Sequence, residues 1–582
     1  MWRPRLFASR SVGPCMLMFA LAVSACREGS DPGAGPRPDP ARGATTEDDS
    51  DQPLRLAYVC GNRFLVTSAY SVPVSVTWRV SDTGEEGTAL LPGAPEDDPA
   101  TSEHLIETRN RGPLELSFAG RPVRTRKNEG IPCTPSAMAP AFTTAGSTSA
   151  GEWSAVFPWP YVAVHLSLLP SGQVLSFGLK PAQLWNPATG AFTAVPAPIK
   201  VFCSGHTLLS DGRLFTAGGH IKTDYGLRDI TVFDPNLRTW SSLAPMLRGR
   251  WYPTTTTMAN GEVVITAGSD ETKLTNPLPE VWTDGVLRVL PGAIRNLPYY
   301  PRAFLAPNGK LFYAGQQQTT RYLNITGLGS WTTVGARRYG TRDYGSAVMY
   351  DEGKILYAGG GRTTNTAEII DLRAAAPKWE WTGSMAFARR HLNLTILPTG
   401  EVLATGGLAG TVFNDMTKPV LAAEIWNPAT QVWTTLASSQ VPRGYHATSL
   451  LLPDGRVLHT GSGEGSTAPQ ERNAELFSPP YLFQGTRPTI QSAPAEVGYG
   501  STFSVETPDA PTITMVSLIR LGSVTHAFNM NQRFQRLGFL AEASGLTIAA
   551  PSDRNVTPPG HYMLSILNNA GVPSVASIIR VH

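Results

Sequence analysis

Seven times between residues 168 and 458 the chain spells an apolar strand, a turn ending in glycine, and a second apolar strand. The turns lie at Gly172, Gly212, Gly261, Gly309, Gly353, Gly400 and Gly455, and three of them are followed by a glycine pair, at Gly218-Gly219, Gly359-Gly360 and Gly406-Gly407. Their spacings are 40, 49, 48, 44, 47 and 55 residues. A unit this small cannot bury its apolar face alone, so a chain that repeats it must stack the units on one another. No helical period of useful length interrupts the pattern, and an all-β fold follows.

The period is that of the kelch repeat rather than the shorter WD40 unit, and seven repeats predict a seven-bladed kelch β-propeller over residues 153–484. Tryptophans in Leu184-Trp185-Asn186-Pro187 and Ile425-Trp426-Asn427-Pro428 are expected to pack between blades. Before the repeats, alternating runs such as Val72-Pro73-Val74-Ser75-Val76-Thr77-Trp78 predict a small β-sandwich over 54–133, joined by a linker at 134–152. After Tyr481 the pattern breaks, and residues 485–582 are expected to form an immunoglobulin-like β-sandwich.

Arg3, Arg5 and Arg10 precede the apolar run Met16 to Val23, which ends at Ser24-Ala25-Cys26. Residues 1–26 therefore have the form of an export signal, either an ordinary one cut after Ala25 or a bacterial lipoprotein box with Cys26 acylated. In both cases the protein is expected to act outside the cytoplasm, lipid-anchored to the cell envelope or secreted. Residues 27–53, rich in Gly, Pro, Asp and Arg, would be a flexible tether. Cys60 and Cys133 bracket the first sandwich and are expected to be bridged in an oxidising compartment. Net charge is +3 with both signs interspersed, which gives no footprint for nucleic acid. A monomer acting on a small molecule is expected.

Counting back nine residues from each turn glycine gives Ala163, Cys203, Tyr252, Tyr300, Tyr344, His391 and His446. Equivalent positions of the blades share one height, so these side chains should ring one mouth of the channel. Six of the seven can bind a metal, react or donate a hydrogen bond. Tyr445 adds a Tyr-His pair, and imidazoles with phenolates suit a tetragonal Cu(II) site better than zinc.

From about Trp153 onward the chain resembles the galactose oxidase and glyoxal oxidase family of copper radical oxidases. The resemblance rests on Phe202-Cys203-Ser204-Gly205, Arg250-Trp251-Tyr252, Gly444-Tyr445-His446, the junction Ala474 to Phe483, and Ser523-Val524-Thr525-His526 followed by Asn531-Gln532-Arg533. It implies one copper ion held by Tyr252, Tyr445, His446 and His526, with the last supplied by the C-terminal sandwich. It also implies a thioether between Cys203 and Tyr252 that forms a protein-derived Tyr-Cys radical cofactor. Catalytic roles would fall to Cys203, Tyr252 and Tyr445. The implied reaction is two-electron oxidation of a small aldehyde, as its hydrate, or of a primary alcohol, with dioxygen reduced to hydrogen peroxide. Arg250-Trp251-Tyr252 is nearer the glyoxal oxidase branch, which favours aldehydes.

Galactose oxidase covers its radical with a tryptophan further along the second blade. Ser269 to Lys273, the comparable stretch here, has none, which leaves Trp251 or Trp153 as substitutes. Tyr300, Tyr344, His391 and Arg302 are expected to line the substrate pocket, with Arg302 binding a substrate oxygen, or else to form a hydrogen-bonded wall. His165, His206, His220 and His459 match no ligand motif and are expected to be structural. The rival class is a non-catalytic kelch scaffold of the cell surface; a sialidase-like hydrolase would need aspartate boxes that are absent.

Overall fold

The computed structural model describes residues 54–60, 63–68, 74–91, 102–108, 113–119, 121–126, 147–463 and 468–582. The export signal with Cys26, the tether, and Cys133 of the expected bridge to Cys60 lie outside the described residues. Strands dominate, and the described residues include one four-residue helix, Ser147–Ala150, and three short 3-10 turns. No helix among them is long and apolar enough to cross a membrane.

The N-terminal region holds two antiparallel sheets. One joins Leu54–Cys60, Arg63–Ser68 and Ser102–Glu107; the other joins Glu86–Leu91, Val74–Val80, Leu114–Phe118 and Arg121–Arg126. Period-two alternation assigns the faces: Val74, Val76 and Val80 turn in with Phe64, Val66, Leu114 and Leu116, while Ser75 and Thr77 face solvent.

Seven successive antiparallel sheets follow, each built in chain order from its first strand outward. Their first strands are His165–Leu168, Gly205–Leu208, Thr254–Thr257, Arg302–Leu305, Ser346–Asp351, Asn393–Ile396 and Ala447–Leu451. From the second sheet to the seventh, each first strand contacts the next, and Ala447–Leu451 contacts His165–Leu168. Between the first and second sheets stands Ser523–Thr525, which pairs with His165–Leu168 and contacts Gly205–Leu208. The seventh sheet takes extra strands from the N-terminal side, with Glu152–Trp153 and Phe157–Pro158 pairing on Asn473–Ser478. First strands are buried on both faces, as in Thr254–Thr257, whereas outer strands such as Thr239–Ser242 are largely exposed.

Four buried ion pairs brace these sheets at matching places. Arg250, Arg342, Arg389 and Arg443 lie just before the first strands of the third, fifth, sixth and seventh sheets. They pair with Glu280, Glu368, Glu424 and Glu475 on the third strands. Each arginine also donates to a carbonyl at the end of the second strand: Ala267, Gly359, Gly406 and Gly461. Each carboxylate in turn accepts a backbone N–H, from Leu247, Arg338, Ala386 and Gln440. These extra bonds offset the desolvation that would otherwise make a buried pair unfavourable. The recurring glycines have a steric cause: a Cβ at Gly218, at φ 77°, would stand 2.1 Å from the Arg250 carbonyl oxygen.

The C-terminal region packs a five-stranded sheet, which includes Ile513–Arg520 and Gly560–Asn568, with a three-stranded sheet around Val505, Val516, Leu518, Leu546, Leu564 and Ile566. From it the hairpin Ser523–Thr525 and Phe528–Asn529 reaches in among the first strands and touches those of the first, second, fifth, sixth and seventh sheets.

Candidate copper centre

The counted ring has a backbone signature. Cys203, Tyr252, Tyr300, Tyr344, His391 and His446 all adopt left-handed φ, between 44° and 68°, and so does His526 at 46°. Such values cost bulky side chains about 1–3 kcal/mol each and persist only where the surroundings impose them. Part of the imposition is a relay of main-chain bonds around the ring: Tyr252 N–H donates to the Cys203 carbonyl, Tyr300 N–H to that of Tyr252, and His391 N–H to that of Tyr344 (2.8–2.9 Å). Only glycine fits behind His446, because a Cβ at Gly461 would lie 2.6 Å from the His446 carbonyl oxygen.

Within the ring four donors meet. Tyr252 Oη lies 2.6 Å from Tyr445 Oη and 3.3 Å from His446 Nε2. The His526 ring is 4.4 Å from that of Tyr252 and 4.6 Å from that of His446, centroid to centroid, and the Tyr445 and His446 rings stack at 3.9 Å. Tyr252, His446 and His526 are each 3 % exposed and Tyr445 is 9 %, so Tyr445 is the donor nearest the opening. His526 Nδ1 bonds Thr525 Oγ1 at 2.7 Å, and its buried Nε2 has no hydrogen-bond partner among the described residues. An orphaned imidazole nitrogen beside two phenol oxygens and a second imidazole is a donor set that fits copper. Among the described residues no cluster of three or more His, Cys, Asp or Glu side chains has that capacity; here phenols supply half the donors.

Burial holds the His526 pKa well below its ordinary value, helped by His446, His165 and Arg302, so the ring is neutral and able to ligate. Burial likewise pushes Tyr252 and Tyr445 well above the usual phenol value, with Cys203 adding to the first and Tyr344 to the second. Both phenols are therefore protonated until a cation joins them.

Cys203 is buried and forms no disulfide. The Trp251 indole lies flat on Tyr252, centroids 3.6 Å apart and planes 6° from parallel. Trp153, the other tryptophan considered as a cover, packs on Phe477 and His459 at the seventh sheet and does not reach the site. His220, expected to be only structural, meets both the indole and the cysteine: its Nδ1 accepts the Trp251 indole N–H at 3.2 Å and lies 3.8 Å from Cys203 Sγ. His165 accepts the Cys203 N–H, His206 bonds Ser523 and Ser167, and His459 bonds Ser449.

The pocket candidates divide. Tyr344 and His391 flank Tyr445 at 5.7 and 5.6 Å. Tyr300 lies deeper, over Tyr252 and His526, with its hydroxyl on the Ser204 carbonyl. Of the two roles considered for Arg302, its contacts are those of the hydrogen-bonded wall. Arg302 is 1 % exposed and spends its donors on the carbonyls of Tyr300, Gly345 and His526. Sequence reading missed Phe413 and Arg390. Phe413, 42 % exposed, packs on Tyr344, His391 and Tyr445, and its carbonyl accepts from His391 Nε2. Arg390 spans the Tyr344 and Phe413 rings and pairs with Asp343 at 2.7 Å. The signal for Phe413 was available: it sits in an insertion that makes the last glycine spacing, 55 residues, the longest.

Fold and site together define a class, an all-β scaffold with a mixed tyrosine and histidine centre at the convergence of its first strands. Residues 487–581 match the family described as galactose oxidase-like, Early set domain, and residues 360–481 match glyoxal oxidase N-terminus. The chain is 29 % identical to a galactose oxidase of Gibberella zeae across 86 % of this chain and 80 % of that one. It is 29 % identical to aldehyde oxidase GLOX of Vitis pseudoreticulata across 66 % and 83 %. A solved fungal alcohol oxidase in complex with copper superposes with a TM-score of 0.69 at 27 % identity, covering 74 % of this chain and 99 % of that one. Over these stretches the chain is similar to galactose oxidases and glyoxal oxidases.

Proposed function

We propose that this protein is a copper radical oxidase that converts a small aldehyde, as its hydrate, or a primary alcohol by two electrons while dioxygen becomes hydrogen peroxide. Tyr252, Tyr445, His446 and His526 would hold one copper ion, and a thioether would join Cys203 to the Tyr252 ring. The observation that carries this reading is the convergence of the two phenol oxygens at 2.6 Å with His446 and the orphaned Nε2 of His526. When bound, copper supplies a one-electron acceptor and a positive charge that favours phenolate.

The chain's own groups divide the remaining work. Tyr445, nearest the opening, is placed to take the proton of a substrate hydroxyl, and it becomes basic enough only beside a cation because burial alone raises its pKa. Tyr252, extended by sulfur and covered by Trp251, is placed to take up a hydrogen atom from the substrate carbon, and the stacked indole keeps solvent from that ring. Tyr344, His391 and Phe413 form the apolar and hydrogen-bonding rim that would admit a small neutral molecule. Arg250-Trp251-Tyr252 and the glyoxal oxidase match favour aldehydes over alcohols. The circuit of first-strand contacts, with Glu152–Trp153 completing the seventh sheet, supports a closed seven-bladed kelch propeller. The apolar run Met16 to Val23 supports action outside the cytoplasm.

The test is to load the protein from Leu54 onward with copper in air and follow intact mass beside peroxide release from methylglyoxal, glyoxal and galactose. Loss of two hydrogens that vanishes in Cys203→Ala, with peroxide formed, is the expected result. Copper bound without cross-link or turnover would overturn the oxidase reading in favour of a scaffold.

A further inference from the structure

His220 belongs to no motif, yet its ring meets both Cys203 and the polar edge of the indole that covers Tyr252. It opens a two-stranded hairpin, His220–Lys222 with Tyr225–Gly226, inserted between the second and third strands of the second sheet. Its main chain is fixed by a bond from its own N–H to the Lys200 carbonyl, its ring packs 5.2 Å from Phe202, and it is 6 % exposed. The indole N–H can only donate, so the bond from Trp251 makes Nδ1 the acceptor and puts the ring proton of a neutral His220 on Nε2. The same Nδ1 lies 3.8 Å from Cys203 Sγ, within reach of a thiol hydrogen.

We propose that His220 is a positioning residue which, through one imidazole nitrogen, holds the Trp251 indole flat on Tyr252 and turns the Cys203 thiol toward that ring. The inference rests on the oxidase reading and adds a residue that neither the repeat register nor the family motifs single out. Nothing else in the observed contacts anchors the indole by its polar edge: Tyr299 meets Trp251 edge-on at 5.1 Å and supplies only ring packing. Before cross-linking, thiol and indole share one acceptor. Forming the thioether breaks the Cys203 S–H bond and one ring C–H bond of Tyr252 and makes a carbon–sulfur bond. Two electrons and two protons pass to dioxygen, giving hydrogen peroxide. A thioether has no hydrogen to donate, so afterwards the thiol no longer competes with the indole for Nδ1, and the cover over Tyr252 is firmer in the mature protein than in its precursor.

The experiment compares wild type, His220→Leu, His220→Gln and Trp251→Phe, each purified without copper and then given copper in air. The readouts are cross-link yield against time by intact mass of denatured protein, and the lifetime of the oxidised tyrosine by its absorption. His220→Leu is expected to cross-link about fivefold more slowly and to lose the oxidised state about fivefold faster, the weight of one net hydrogen bond. His220→Gln, whose amide oxygen can accept the indole N–H, is expected to recover most of the lifetime, and Trp251→Phe to shorten it while leaving the cross-link rate closer to wild type. Wild-type rates and lifetime in a His220→Leu protein that binds copper would overturn the proposal. Failure of the wild type itself to cross-link would instead overturn the oxidase reading on which it rests.

Discussion

Two pairs of buried imidazoles lie side by side at the convergence of the first strands. His165 and His206 are 5.1 Å apart, His446 and His526 are 4.6 Å apart, and His165 and His526, one from each pair, are 6.0 Å apart. Burial lowers the pKa of His165, His206 and His526 alike, so neither burial nor titration separates ligand from wall. His165 and His206, like His526, also keep a ring nitrogen without a hydrogen-bond partner among the described residues, so an orphaned atom alone does not separate the pairs either. What differs is the company. His165 stacks on Phe177 at 4.5 Å, and His206 bonds the hydroxyls of Ser523 and Ser167. His446 and His526 face two phenol oxygens held within 2.6 Å of each other. A histidine reads as a ligand when several polarizable donors converge with it, not when it is buried.

The sharpest way to break this comparison is to exchange one member of each pair. On the proposed ligand set, His526→Ala is expected to reduce bound copper from one equivalent to near none and to abolish the cross-link, since an apolar wall offers no donor in place of the imidazole nitrogen. His206→Gln is expected to leave copper stoichiometry intact, as measured by metal analysis after dialysis. Equal loss in both variants would erase the distinction between the pairs.

Tyr445→Phe tests the donor at the opening. It removes the hydroxyl 2.6 Å from Tyr252 but leaves the two imidazoles and the Tyr252–Cys203 pair in place. Turnover is expected to fall ~10²–10⁴-fold, the range for loss of a proton-transfer group, while the cross-link still forms. Steady-state peroxide release and intact mass check the two halves separately. Retained turnover would move the proton-accepting role elsewhere.

Acid stability tests the His165 and His206 pair in the protein without copper. Burial holds His206 at about 3 in the folded protein against an ordinary 6.5. The unfolded chain therefore takes up its proton first, so stability is fully present above pH 6.5 and is lost as pH falls toward 3. Urea unfolding across that window should show a shallower loss for His206→Gln than for wild type. An unchanged slope would mean that His206 is not held neutral by its surroundings.

Much of this was legible in the chain. The glycine spacings gave the sheets, and counting back nine residues placed Cys203, Tyr252, Tyr300, Tyr344, His391 and His446 at one register, where all six share left-handed φ. The choice between pocket and wall for Arg302 was not legible because sequence proximity to Tyr300 says nothing of side-chain direction; its guanidinium turns to main-chain carbonyls. His220 and Phe413 both sit in insertions between second and third strands, where the repeat register gives no equivalent position; the long last spacing marked the insertion that carries Phe413 but not the residue. Trp251 was visible as a tryptophan beside Tyr252, but only the φ of 66° at Tyr252 explains how neighbouring side chains can stack at all: in an ordinary strand they would point to opposite faces.

The smallest expected effect lies at the rim. Phe413 is partly exposed and makes its contacts with Tyr344, His391 and Tyr445 by its ring alone, while its main-chain carbonyl holds His391. Phe413→Ala keeps that carbonyl and removes only apolar surface, of which about half is already open to water. A loss of about 1 kcal/mol of substrate contact follows from the area removed, or about fivefold in KM. Because the contact is present before and during the chemical step alike, kcat should stay near wild type. The effect should grow with the apolar length of the aldehyde and shrink toward nothing for glyoxal. A fall in kcat with unchanged KM would instead make Phe413 a support for Tyr445, and the rim would then belong to the copper centre rather than to the pocket.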